Sequence, residues 1–232
     1  MKIMDALIGY TGFIGNIISK SLKNFDKYNS KNIKFINNDY KTIYCSGVQS
    51  KKWWANENPD EDWLGIELLI NSVKNINCEK FILISTIGVY ENDPYGVNRK
   101  KLEDILINVF GDKLKIYRLP AVFGDGLKKN LLFDMINNEL RHPINIKDMY
   151  QWYNVNNIME DIANTINDNS KVIEFFTEPI ENNELIKIFN KNFNFYNDIE
   201  NCYIQDIKPK DGYWMKKSDV ISELNKFIHG NN

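Results

Sequence analysis

The chain has 232 residues, enough for about one and a half domains at the usual ~150 residues each. Hydrophobic residues make up 43% and charged residues 26%, so a packed core is expected. Lys and Arg number 29 against 31 Asp and Glu, a net charge of −2, which argues against the strongly basic face that grips nucleic acid.

No apolar run approaches the ~20 residues of a membrane span, so no membrane partner is expected. The three cysteines (Cys45, Cys78, Cys202) are odd in number and far apart, which argues against a disulfide framework. His142 and His229 have no Cys or acid at metal-ligand spacing, so no metal site is expected. The opening stretch is rich in Gly and interrupted by Asp5, unlike a secretory signal. The expectation is a reduced, cytoplasmic protein.

In chain order, residues 4–8 form a short apolar run ending in glycine, a predicted strand, and 13–23 follow at helical spacing. A second strand candidate is 42–46. A long helix is predicted from about 60 to 75, opened by Pro59 and Asp60, with Trp63, Ile66, Leu69, Ile70 and Val73 on one face. Residues 81–85 read as a buried strand, 95–110 as a helix and 114–119 as a strand. Continuous apolar strands alternating with helices predict an α/β fold, a doubly wound parallel sheet of the Rossmann type. After Pro120 the rhythm changes. Helices near 129–138, 158–166, 182–190 and 218–228 are mixed with strands near 150–155 and 172–176, and 191–212 is the least regular segment. The predicted division is a dinucleotide-binding domain, 1–126, and a small C-terminal substrate lobe, 127–232, with segments free to interleave.

The first strand runs into Gly9-Tyr10-Thr11-Gly12-Phe13-Ile14-Gly15, and a helix starts inside that motif. Such a turn needs one glycine for its tightness, one for close approach of a pyrophosphate, and one for helix–strand packing. The helix N-terminus then offers free N–H groups and a partial positive charge to phosphates. Gly9, Thr11, Gly12, Phe13, Ile14 and Gly15 are therefore candidate cofactor-binding residues.

The GxxGxxG spacing resembles that of the extended short-chain dehydrogenase/reductase family, which acts largely on nucleotide sugars. Three further stretches carry the resemblance, in the family's order. Tyr44-Cys45-Ser46-Gly47 matches the close of the family's fourth strand, which implies Cys45, Ser46 and Gly47 under the cofactor. Ser85-Thr86-Ile87-Gly88-Val89-Tyr90 looks like the catalytic Ser/Thr strand end. Arg118-Leu119-Pro120-Ala121-Val122-Phe123-Gly124 is similar to the strand and loop beside the nicotinamide, implicating Pro120 and Val122. The end of the second strand, where an acid would bind the ribose 2′-OH, holds Tyr28-Asn29-Ser30-Lys31 without a carboxylate. Ser30 and Lys31 either accommodate a 2′-phosphate or form a solvated turn, so the cofactor is NADP or NAD, with NADP preferred.

Carbonyl chemistry of this kind needs a proton-exchanging group beside the hydride carrier. A tyrosine, with an ordinary pKa of ~10, needs a nearby cation to serve as a base. The family places Tyr and Lys at i and i+4 of one helix, where they share a face. Here the pair is Tyr95 and Arg99. The resemblance implies Tyr95 as acid/base, Thr86 hydrogen-bonded to the substrate oxygen, and Arg99 tuning Tyr95 and reaching ribose hydroxyls. Dehydratases of the family carry an Asp-Glu pair directly after the catalytic Thr, whereas Thr86 is followed by Ile87 and Gly88.

Lys52 lies in a loop and helix start rich in tryptophan that either grips substrate or packs into the core. Lys129 and Asn130 precede a helix where the family meets its substrate diphosphate, and a solvated helix start is the competing reading. Trp152 either lines a sugar cleft or is core. The expected function is NAD(P)-dependent reduction or epimerisation of a nucleotide sugar, the alternative being an inactive NAD(P)-binding sensor. The resemblance also implies a homodimer through helices 60–75 and 95–110, to which Trp63, Leu64, Leu68, Leu102 and Ile105 bring apolar surface.

Overall fold

The computed structural model describes residues 4–37, 39–189 and 191–230. In chain order the elements are β1 (Met4–Ile8), α1 (Phe13–Ser21), β2 (Phe25–Tyr28), β3 (Tyr40–Cys45), α2 (Lys52–Glu57), α3 (Pro59–Val73), β4 (Cys78–Thr86), α4 (Pro94–Phe110), β5 (Leu114–Leu119), β6 (Ala121–Phe123), α5 (Leu131–Asn137), β7 (Ile144–Asn145), β8 (Met149–Tyr150), β9 (Trp152–Asn154), α6 (Ile158–Thr165), β10 (Val172–Glu174), β11 (Ile180–Glu181), α7 (Asn182–Ile188), β12 (Phe195–Tyr196) and α8 (Lys217–His229). Local chemistry explains the two long helices of the first half. Proline opens both α3 and α4, and acids fill the first turn of α3. The side chain of Asp93 caps α4 by accepting from the Gly96 N–H at 2.8 Å.

The chain divides into two compact units. The first comprises the residues up to Arg118 with Ile158–Ile173, and the second Leu119–Asn157 with the residues from Glu174 on. The boundary therefore falls at Arg118 rather than after Gly126, and the segments interleave because α6 returns to the first unit.

The principal sheet has the order β10-β5-β4-β3-β1-β2. β1 pairs in parallel with β2 and β3, and β3 with β4. The chain lays β2 on one side of β1 and β3 on the other, so the crevice at the carboxyl ends of β1 and β3 is the topological switch point, where open α/β sheets bind ligands. The segment 44–47, expected from the resemblance to close a fourth strand, lies at the end of the third, β3. Between β2 and β3 the described residues include a short 3-10 turn, Ile33–Phe35, and β2 stands last in the strand order. Lys52, read as part of a loop and helix start, opens the short helix α2.

The core of the first unit gathers Ile43, Ile66, Val73, Phe81, Leu106 and Ile116 from strands and helices alike. Phe81 stacks on Phe110 with ring centroids 4.2 Å apart. Leu102, expected on an outer helix face, belongs to this core. Among the described residues no helix is long and apolar enough to cross a membrane.

One ion pair is buried within this apolar layer. Glu103 of α4 accepts from Arg118 through Nε at 3.0 Å and Nη2 at 2.6 Å, and from Ser85 Oγ at 2.6 Å. Arg118 also donates to the Tyr90 hydroxyl at 2.8 Å. The network ties the ends of β4 and β5 to α4. Removing one member strands the other's charge in a low dielectric, so Glu103→Ala should destabilise the fold by about 3–5 kcal/mol in denaturant unfolding. A loss under about 1 kcal/mol, the scale of an exposed pair, would contradict this role.

Candidate active site

The glycine turn meets the end of β3 backbone to backbone. Gly9 has φ +86°, and a Cβ there would stand 2.7 Å from the Gly47 nitrogen and 2.8 Å from the Ser46 carbonyl carbon. A Cβ on Gly15 would stand 2.1 Å from the Gly9 carbonyl oxygen. Neither place admits a side chain. Ser46 holds the two strand ends together, its N–H and hydroxyl both donating to the Ile8 carbonyl at 3.0 and 3.1 Å. Gly12 is the N-cap of α1 and no side chain caps that end, which leaves the first turn, Phe13, Ile14 and Gly15, with donors for an anion. Thr11 and Gly12 are exposed at the turn. The set therefore has the two features a dinucleotide pyrophosphate requires, a side-chain-free cradle and an open helix N-terminus.

Cys45 itself is fully buried, and burial pushes its thiol up to about 12. Its side chain is core, so only its backbone can serve a cofactor. At the end of β2, Ser30 and Lys31 are exposed. Asn29 shapes their turn, accepting from the Lys31 N–H at 2.9 Å and donating to the Tyr10 hydroxyl at 3.3 Å. That contact links the β2 end to the glycine turn.

The strand β4 ends at Thr86, whose hydroxyl accepts from the Gly88 N–H at 3.1 Å. Tyr95 stands in the first turn of α4. A Cβ on Gly88 would meet Tyr95 Cε1 at 3.0 Å and Thr86 Oγ1 at 3.4 Å, so the threonine hydroxyl and the tyrosine ring flank one glycine. Gly96 permits the close approach of α4, since a Cβ there would stand 2.2 Å from the Gly88 carbonyl oxygen.

Arg99 lies over the Tyr95 ring, its guanidinium carbon 4.3 Å from the centroid. Three of its five donors are engaged. Nη1 and Nη2 fork onto the two oxygens of Asp62 at 2.7 and 2.9 Å, and Nη2 also donates to the Gln49 carbonyl at 2.5 Å. That engagement, with the side chain 7% exposed, weighs against the expectation that Arg99 reaches ribose hydroxyls.

Lys52 does not stand free for substrate. It pairs with Glu91 and with Asp93, the latter at 3.2 Å. Burial alone would lower its pKa, but the two carboxylates raise it above the ordinary lysine value. Asn56 completes the brace, accepting from the Tyr95 N–H at 2.9 Å and donating to Asp93 at 3.1 Å. Burial alone would raise the pKa of Asp93, but the Gly96 N–H, Asn56 and Lys52 hold it below the usual carboxylate range.

In the second unit, Pro120 is buried and Val122 half-buried. Asn130 caps α5, accepting from the Phe133 N–H at 3.0 Å and donating to the Val122 carbonyl at 2.8 Å, so its side chain is already engaged. Lys129 is exposed. Trp152 is 2% exposed and packs in that unit's core, which corrects its assignment to a sugar cleft.

Sequence reasoning missed Asp62, Asn56 and Asp93. The Asp-Pro step before α4 was a readable cap signal. Asp62 gave none, because its partner is 37 residues away and meets it only through tertiary packing.

Gly15→Ala should abolish nucleotide binding, since its methyl would collide with the Gly9 carbonyl. Gly65→Ala, where a Cβ meets nothing within 4 Å on α3, should leave binding intact and stabilise the helix by about 0.5–1 kcal/mol. Equal dinucleotide affinity of the two variants by calorimetry would disprove the cradle.

No family model matches the sequence, and no curated protein is detectably similar to it. Solved structures are. UDP-glucose 4-epimerase from Thermotoga maritima, determined with UDP-glucose, matches with a TM-score of 0.72 at 16% identity over 97% of each chain. A dTDP-4-dehydrorhamnose reductase from Bacillus anthracis in complex with NADP matches at 0.73 and 12% over 100% of both chains. The NAD-dependent NDP-hexosamine 5,6-dehydratase of tunicamycin biosynthesis matches at 0.70 and 13%, over 98% of this chain and 95% of that one. At these identities the likeness is one of fold, and the chain has the Rossmann-type fold of the extended short-chain dehydrogenase/reductases that its motifs resemble.

Proposed function

We propose that this chain is an NAD(P)-dependent oxidoreductase or epimerase of nucleotide sugars, with Tyr95 as its acid/base. The observation that carries the reading is the placement of the Thr86 hydroxyl and the Tyr95 ring against the same glycine, Gly88, at the end of the strand next to the one that closes the glycine cradle. The cradle of Gly9, Gly12 and Gly15, with Ser46 and Gly47, would hold the dinucleotide. A bound nicotinamide supplies hydride donation and acceptance.

The chain's own residues do the rest. The Thr86 hydroxyl orients a carbonyl or hydroxyl oxygen of the substrate by hydrogen bonding. Tyr95 gives a proton to that oxygen in reduction and takes it back in oxidation. Epimerisation uses the same two residues twice, oxidising one sugar carbon and reducing it on the opposite face. Exposed Ser30 and Lys31 favour NADP over NAD, since no carboxylate at the β2 end repels a 2′-phosphate.

Elimination of water from the sugar needs a base beside the keto carbon. Ile87 and Gly88 follow Thr86 and cannot move a proton. The nearest carboxylates in the chain, Glu91 and Asp93, are paired with Lys52. This favours reduction or epimerisation over dehydration, with reduction ahead because the β2 end suits NADPH. A cytoplasmic homodimer completes the reading, supported by Leu64 and Leu68 exposed on α3 and Val97 on α4. Light scattering should give a dimer at micromolar concentration, and a monomer would refute that part.

Tyr95→Phe should retain cofactor binding and lose at least about two orders of magnitude in turnover of a 6-deoxy-4-keto nucleotide sugar with NADPH. Undiminished turnover would remove Tyr95 from the chemistry. A dehydrated 4-keto product from an unmodified nucleotide sugar would instead show the reaction to be elimination.

A further inference from the structure

In the resembled family the residue four places after the tyrosine is a lysine acting as a lone cation. Here that position is the buried half of an ion pair. The side chains of Arg99 and Asp62 are 7% and 2% exposed. Asp62 receives both guanidinium nitrogens and also the Asn98 amide at 3.0 Å. Its partners thus come from α4, while the carboxylate itself stands in the first turn of α3. The Gln49 carbonyl anchors the guanidinium from a third side. Held on these sides, the guanidinium carbon stands over the Tyr95 ring, 4.3 Å from its centroid.

We infer that Asp62 is a positioning residue for Tyr95, fixing Arg99 as a flat support against the phenol ring while taking up the guanidinium charge. This rests on the reading of Tyr95 as the acid/base. The physical requirement is plain. A guanidinium this deeply buried keeps its charge, so leaving it without a partner would be costly, and a partner that engages only one nitrogen would leave the head free to rotate off the ring. A fork onto both oxygens fixes charge and orientation together.

The test uses the neutral pair Asp62→Asn with Arg99→Gln, made together so that no unpaired charge is buried. Ring-labelled tyrosine gives an NMR signal for Tyr95, identified by its loss in Tyr95→Phe. In the double variant that signal should shift and broaden. Turnover of the keto-sugar with NADPH should fall about tenfold, while KM and NADPH affinity stay within about twofold, the pattern of a misplaced acid/base rather than of lost binding. Should the double variant not fold, Arg99→Lys provides the same two readouts, because a lysine keeps the charge but cannot fork. An unmoved ring signal, or unchanged turnover, would overturn the role of Asp62. A wild type that binds NADPH but turns nothing over would defeat the oxidoreductase reading instead, and the ring signal alone would then decide Asp62.

Discussion

The contact on which the site depends is between two backbones. The Gly9 carbonyl occupies the space where a side chain at residue 15 would project, and the start of α1 can lie against the ends of β1 and β3 only because residues 9 and 15 are glycines. That close approach brings an uncapped helix N-terminus to the switch point of the sheet. Ser46 then fastens β3 to β1 through the Ile8 carbonyl. An anion bound there would be met by N–H groups and a helix dipole rather than by a cationic side chain.

Three cations of the first unit are spent on architecture. Lys52 pairs with Glu91 and Asp93 at the start of α4, Arg99 with Asp62 beneath Tyr95, and Arg118 with Glu103 between β4 and β5. Two of these pairs are buried, and all three hold α4 or the turn before it. Helix α4 carries Tyr95 in its first turn, where fraying would otherwise be greatest. An acid/base must be held within a few tenths of an ångström to act, and a helix start needs such bracing more than a helix middle does.

Much of this was legible in the sequence. The strands and helices of the first unit follow from apolar runs, prolines and glycines, and the glycine cradle follows from its spacing after β1. The pairing of Tyr95 with residue 99 was implied by the resemblance, whose i, i+4 spacing suits one helix face. What stayed hidden depends on tertiary proximity. Nothing local marks Asp62 as the partner of Arg99, or Asn56 as the acceptor for the Tyr95 N–H. Lys52, Asn130 and Trp152 looked available for substrate because sequence shows polarity and aromaticity but not occupancy. The structure commits the first to a pair of carboxylates, the second to a helix cap and the third to a core. The strand count was hidden for a related reason, since the family order made 44–47 the close of a fourth strand, whereas among the described residues only β1 and β2 precede β3.

The central claim is that the crevice transfers a hydride between a nicotinamide and a sugar carbon. Isotope tracing measures this directly. The protein is incubated with NADPH deuterated at the transferring carbon and a 6-deoxy-4-keto nucleotide sugar, and the sugar product is analysed by mass spectrometry. Deuterium bound to the former keto carbon is the expected result. Recovery of the keto-sugar unchanged and unlabelled, with NADPH bound but not oxidised, would contradict the claim and leave a nucleotide-binding protein without turnover.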